Sequence, residues 1–99
     1  MPKNKKQKTA LIIGRWQPWH KGHRALFEAA LERAERVVIG VRHTHATDRK
    51  NPFSFNEVRE FIDSDLKNDY SGKYDVIDLP NITNVIYGRM LAIRSKKYL

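Results

Sequence analysis

Gly14-Arg15-Trp16-Gln17-Pro18-Trp19-His20-Lys21-Gly22-His23 runs directly on from the apolar stretch Ala10-Leu11-Ile12-Ile13 and leads into Arg24-Ala25-Leu26-Phe27-Glu28-Ala29-Ala30-Leu31. The first stretch reads as a buried strand and the last as a good helix. Between them lies a loop bearing Gly and Pro, and the helix it opens carries two histidines in its first turn. Free backbone N–H groups, the positive end of the helix dipole and added side-chain donors converge at such a point. The combination is suited to an anion, and phosphate fits it best.

Thr9–Ile13 is continuously β-branched or apolar, as expected of a strand covered on both faces. Gly22–Ala34 places Phe27, Ala30, Leu31 and Ala34 at helical spacing. Val37-Val38-Ile39-Gly40-Val41, within 36–41, reads as a second buried strand, and a polar loop over 42–52 follows. Ser54-Phe55-Asn56-Glu57 has the form of a capping box. The helix it opens sets Phe55, Val58, Phe61, Ile62 and Leu66 on one core-facing side and is expected to stop near Asn68, ahead of Ser71-Gly72. Tyr74–Leu79 reads as a third strand, with Asp75 and Asp78 marking an edge.

Strand–helix–strand–helix–strand is an α/β pattern, and crossover connections make its three strands parallel. The expected architecture is a small Rossmann-like open sheet with two crossover helices. Thr83–Tyr87 adds a short fourth strand whose direction stays open. Pro80-Asn81-Ile82 is too short for a parallel crossover, so the segment is antiparallel, a bent continuation of the third strand, or placed elsewhere.

Ninety-nine residues make one domain. We expect a basic, frayed tail over 1–8 and a single domain over 9–99. No stretch reaches the ~20 apolar residues of a membrane helix. There is no cysteine, so there is neither a disulfide framework nor a thiolate metal site. A cytoplasmic location is the default. The net charge of +8 belongs to the ends. Lys3, Lys5, Lys6 and Lys8 lie in 1–8, and Arg89, Arg94, Lys96 and Lys97 lie in 89–99, with no acid in either segment. Residues 9–88 are formally neutral, with eleven basic and eleven acidic side chains. A neutral body with basic ends argues against a specific nucleic-acid groove.

In an open parallel sheet ligands bind beyond the carboxyl ends of the strands, where 14–23 and 42–53 both lie. Gly14 lets the backbone approach a ligand, Arg15 offers a planar fork to phosphate oxygens, and Pro18 stiffens the loop. His20 and His23 are three apart and face the same way on a helical turn. Gly22 leaves room for a phosphate between them.

His20-Lys21-Gly22-His23 resembles the His-x-Gly-His signature of the nucleotidylyltransferases. The longer string Gly14–His23 is similar to the Gly-Arg-Phe-Gln-Pro-Phe-His-x-Gly-His of archaeal-type nicotinamide-nucleotide adenylyltransferases, with Trp16 and Trp19 in place of Phe. Asn51-Pro52-Phe53 resembles the same branch, and the likeness spans roughly Thr9–Tyr87. It implies transfer of an adenylyl or cytidylyl group from ATP or CTP to a small phosphorylated acceptor, nicotinamide mononucleotide for this branch, with release of pyrophosphate. No protein nucleophile is implied. His20 and His23 would hold the α- and β-phosphates, His23 stabilising the transition state. Arg15 would bind phosphate, the backbone from Gly14 through Trp16 to Gln17 would supply contacts, Gly22 would leave the phosphates room, and Mg²⁺ would bridge the triphosphate oxygens. The family's late Ile-Ser-x-Thr-x-x-Arg motif has no match here, and the nearest string is Ile93-Arg94-Ser95-Lys96-Lys97. The resemblance thus implies a domain shortened at its C-terminal side, a site completed by a neighbouring subunit, or nucleotide binding without rapid turnover.

Other readings stand beside these. His43 and His45 follow the second strand and could join His20 and His23 in a four-imidazole metal cluster, or sit in a solvated loop that touches substrate. Trp16 and Trp19 either stack on a base or pack the loop down. Arg49 and Lys50 reach ligand phosphates or face water. Tyr87-Gly88-Arg89 forms a further ligand loop, Arg89 contributing a phosphate contact, or a plain turn. Val85-Ile86-Tyr87 offers an edge for pairing with a second copy. For the whole chain, the alternative to an enzyme is a nucleotide-binding or assembly module with an incomplete catalytic set.

Overall fold

A computed structural model gives the architecture and describes residues 8–43, 47–86 and 88. Five elements follow in order: β1 Thr9–Gly14, α1 Lys21–Leu31, β2 Arg36–His43, α2 Phe55–Tyr70 and β3 Tyr74–Pro80. The three strands form one parallel sheet in the order β1-β2-β3. Thr9 lies opposite Arg36 and Gly14 opposite Val41; Val37 lies opposite Tyr74 and His43 opposite Pro80. All three carboxyl ends therefore leave the sheet on one side.

Both helices cover the same face. Phe27 of α1 and Val58, Ile62 and Leu66 of α2 pack with Val37, Ile39 and Val41 of β2, and Ala10, Ile12, Tyr74 and Val76 complete the layer. Strand alternation sends Leu11, Ile13, Val38, Gly40, Arg42, Ile77 and Leu79 to the other face. No described helix covers that face, and Leu11 is 55% and Ile77 38% exposed. The expectation that β1 is covered on both faces is thus corrected: an apolar run does not reveal whether both of its faces find a partner. The edge position of β3 agrees with its aspartates.

The helix ends obey local chemistry. Ser54 and Glu57 satisfy each other's backbone N–H groups at 3.2 and 2.9 Å. Helix α2 runs two residues past Asn68 before Gly72 turns the chain at φ +80°. Helix α1 stops at Leu31 rather than Ala34. The Glu32 N–H is shared between the Glu28 and Ala29 carbonyls, a tightening typical of a final turn. The segment expected as a fourth strand is irregular over 82–86, and Tyr87 lies outside the described residues. Among the described residues no helix is long and apolar enough to cross a membrane.

Candidate nucleotide site

Two histidines cap α1 reciprocally. His20 Nδ1 accepts the Gly22 N–H at 3.1 Å, and His23 Nδ1 accepts the His20 N–H at 3.2 Å. The rings stack with centroids 3.7 Å apart. Because each Nδ1 is an acceptor, each neutral imidazole carries its proton on Nε2 and presents an N–H donor away from the helix. Capping and ligand donation are therefore divided between the two nitrogens of one ring. The first turn carries no acidic residue, so the dipole's positive end is not neutralised locally.

Burial pushes the His23 pKa below its ordinary value of 6.5, and neighbouring His20 acts in the same direction. As the pH falls through 6.5 the unfolded chain takes up this proton before the folded one does. Folding stability then declines with falling pH down to the lowered folded value. Protonation would also remove the acceptor that caps His20. We expect the midpoint of thermal unfolding to fall as the pH drops below 6.5. His23→Asn, which keeps an acceptor without a titrating proton, should flatten that dependence.

The loop that aims these rings is fastened to the core. Trp16 is 4% exposed, its backbone sits in the left-handed region at φ 50°, and its Nε1 donates to the Gly40 carbonyl at 3.0 Å. Trp19 is 7% exposed and donates to Asp65 Oδ2 at 2.8 Å. The Trp16 ring meets those of Trp19 and His23 edge-on, at centroid distances of 5.3 and 4.8 Å. Both indoles pack the loop down onto the core, the second of the two readings open for them in the sequence. Gln17 is likewise committed. Its amide donates to the Phe53 carbonyl at 2.9 Å and accepts the Phe53 N–H at 2.8 Å, joining the loops after β1 and β2. Gln17→Ala leaves both main-chain groups without these partners, for about 1–3 kcal/mol of stability. Amide hydrogen exchange at Phe53 should accelerate with it.

The glycines serve the same packing. A Cβ on Gly14 would lie 2.9 Å from the Trp16 ring, and one on Gly22 would lie 3.1 Å from the His20 ring. At Gly22 the missing side chain leaves room first for the His20 ring. Asp65, which no spacing rule singled out, is the junction of the site. It accepts from Trp19 Nε1, while Arg24 Nη1 reaches both its carboxylate and its carbonyl, at 3.0 and 2.9 Å. Arg24 also pairs with Glu28 and Asp69. This network ties the first turn of α1 to α2.

Two cavities flank the loop. One, of about 520 Å³, is lined by Trp19, His20, Lys21, Phe53 and Phe61 among others. Phe61, expected in the core, is 37% exposed and walls this cavity. The other, of about 310 Å³, is lined by Arg15, Arg42, His43, Asn81, Ile82 and Thr83. Arg15 is exposed, as are Arg49 and Lys50. His43 bonds to Asp78 through Nε2 and stacks on Phe55, whereas His45 and Arg89 lie outside the described residues. Among the described residues no group of three or more His, Cys, Asp or Glu is placed to hold a metal ion.

The cytidylyltransferase-like family profile matches residues 11–80. The nicotinamide-nucleotide adenylyltransferase of Methanococcus aeolicus is 37% identical over 76 residues, covering 74% of this chain and 42% of the relative. That of Pyrococcus furiosus is 37% identical over 81 residues, covering 76% and 42%. A bifunctional NMN adenylyltransferase/ADP-ribose pyrophosphatase from Francisella tularensis, solved with AMP and a manganese ion, superimposes with a TM-score of 0.70. It is 32% identical, over 75% of this chain and 23% of that one. The chain thus spans about two fifths of the curated relatives' length. With the matched span running from within β1 through the two histidines of α1 to the end of β3, the chain belongs to the cytidylyltransferase-like family.

Proposed function

We propose that the chain binds a nucleoside triphosphate at the start of α1 and transfers its adenylyl group to a phosphorylated acceptor, nicotinamide mononucleotide. The observation that carries this reading is the histidine pair whose Nε2–H donors are left for a ligand by the capping bonds at Nδ1. An oxygen of the acceptor phosphate attacks the α-phosphorus of ATP, the bond to the bridging oxygen breaks, and pyrophosphate departs with the electron pair. The chain itself forms no covalent bond. His20 and His23 donate to phosphoryl oxygens, His23 most strongly as charge grows there, and the backbone N–H groups of the first turn add to the field.

This donor set suits phosphate oxygens better than a cation, because two imidazoles and Lys21 open the helix and its first turn carries no carboxylate. Mg²⁺ would therefore arrive with the triphosphate, where it neutralises charge on the phosphate oxygens. The relatives' names support ATP and nicotinamide mononucleotide over CTP and other acceptors.

Pyrophosphate release with Mg²⁺, comparing ATP and CTP against nicotinamide mononucleotide and glycerol phosphate, tests the proposal. Turnover confined to ATP with nicotinamide mononucleotide is expected. ATP binding with no turnover in any pairing would favour a nucleotide-binding module instead.

A further inference from the structure

Among the described residues, Arg42 is the half-buried arginine without a carboxylate partner. Arg24 pairs with Glu28, Asp65 and Asp69, Arg36 pairs with Asp75, and Arg15, Arg33 and Arg49 are exposed. Arg42 Nη2 donates to the Ile82 carbonyl at 3.0 Å, while its Nε is buried with no hydrogen-bond partner. A guanidinium N–H withdrawn from water without an acceptor is unfavourable, and an anion at the exposed part of the same group would offset the cost.

The surroundings fit an anion of one kind. Arg42 shares its cavity with a second guanidinium, Arg15, and no carboxylate lines the space. The nearby Asp78 is engaged by His43. All three strand ends contribute: Arg15 follows β1, Arg42 and His43 close β2, and Asn81–Thr83 follow β3. Asn81 turns at φ 56°, and its N–H bonds to the His43 carbonyl at 2.8 Å, which brings the Ile82 carbonyl to Arg42. Neither His20 nor His23 lines this cavity. In-line displacement places attacking and leaving oxygens on opposite sides of the α-phosphorus. If the histidine end holds the departing phosphates, the attacking phosphate enters from elsewhere, and Arg15 begins the same loop that ends at His20.

We propose that this cavity is the subsite for the acceptor's phosphomonoester, with Arg42 the residue that fixes it and makes a terminal phosphate obligatory. This rests on the adenylyl-transfer reading. The attacking group is the phosphate oxygen held there, which is unprotonated at neutral pH, so Arg42 moves no proton and acts by binding and aiming the dianion.

Two measurements test it. In steady-state kinetics, Arg42→Gln should raise KM for nicotinamide mononucleotide about 10- to 100-fold while KM for ATP stays within about twofold, and Arg42→Lys should recover part of the loss. In the unaltered protein, the Arg42 Nε–H resonance should shift on adding nicotinamide mononucleotide but not its dephosphorylated nucleoside. Inorganic phosphate should produce a weaker shift. A rise in KM for ATP instead would assign the cavity to the triphosphate and overturn the proposal, as would an Nε–H signal indifferent to the phosphorylated compound. Should the protein show no turnover while Arg42 still separates the phosphorylated from the dephosphorylated compound, adenylyl transfer fails and the phosphomonoester subsite stands.

Discussion

His23→Ala should lower kcat about 10²- to 10³-fold, equivalent to about 2.7–4 kcal/mol of barrier, the usual loss when one donor to a developing oxyanion is removed. The ring sits at the start of α1 with Nδ1 on the His20 N–H, leaving Nε2 as its donor to a ligand. Because the alanine variant also loses a cap, its stability should fall by about 0.5–2 kcal/mol. His23→Asn separates the two effects, since its side-chain oxygen can still accept from His20 but offers no Nε2–H at the same reach. Steady-state pyrophosphate release beside thermal unfolding of both variants is the check. An asparagine variant as slow as the alanine variant but as stable as the parent is the expected pattern. Full activity in either would remove His23 from the chemistry.

Trp16→Ala should be the most damaging single truncation in the loop, at about 3–5 kcal/mol. That is a large part of the ~5–15 kcal/mol that holds a typical domain together. The indole is buried, carries the hydrogen bond to Gly40, fills the space that Gly14 leaves, and supports His23 edge-on. Its packing also offsets a left-handed backbone that costs an L-residue about 1–2 kcal/mol. Trp16→Phe keeps most of the ring but leaves the Gly40 carbonyl without its donor, for about 1–3 kcal/mol. Urea unfolding of the pair should rank alanine well below phenylalanine. An alanine variant within about 1 kcal/mol of the parent would mean that the loop does not depend on its indole.

Much of this arrangement is legible in the chain because it is local. The capping box at Ser54 and Glu57 needs only a spacing of three, and His20 and His23 satisfy the same rule with unusual residues. Parallel pairing follows from the alternation of strands and helices. What stayed hidden is long-range. Gly14 and Gly22 look like ligand glycines, yet each first makes room for a neighbouring aromatic ring, because close approach to a ring and to a phosphate demand the same missing side chain. Asp65 is one of several acids on α2 until Trp19 and Arg24 arrive from 46 and 41 residues away. Arg42 reads as the start of a polar loop, and only the extension of β2 to His43 places it on the face opposite the helices, against Ile82. An apolar run such as Leu11–Ile13 reports burial propensity but not which face finds a partner.

In the proposed complex the imidazole Nε2–H groups of His20 and His23 receive the phosphates of a nucleoside triphosphate. Imidazole ¹⁵N spectra of the protein, recorded with and without the magnesium complex of a non-hydrolysable ATP analogue, address it directly. The Nε2 resonances of both histidines should move on binding while their Nδ1 resonances, held by the helix cap, stay in place. Saturable binding of the analogue with both Nε2 signals unmoved would place the triphosphate elsewhere and remove both histidines from its binding.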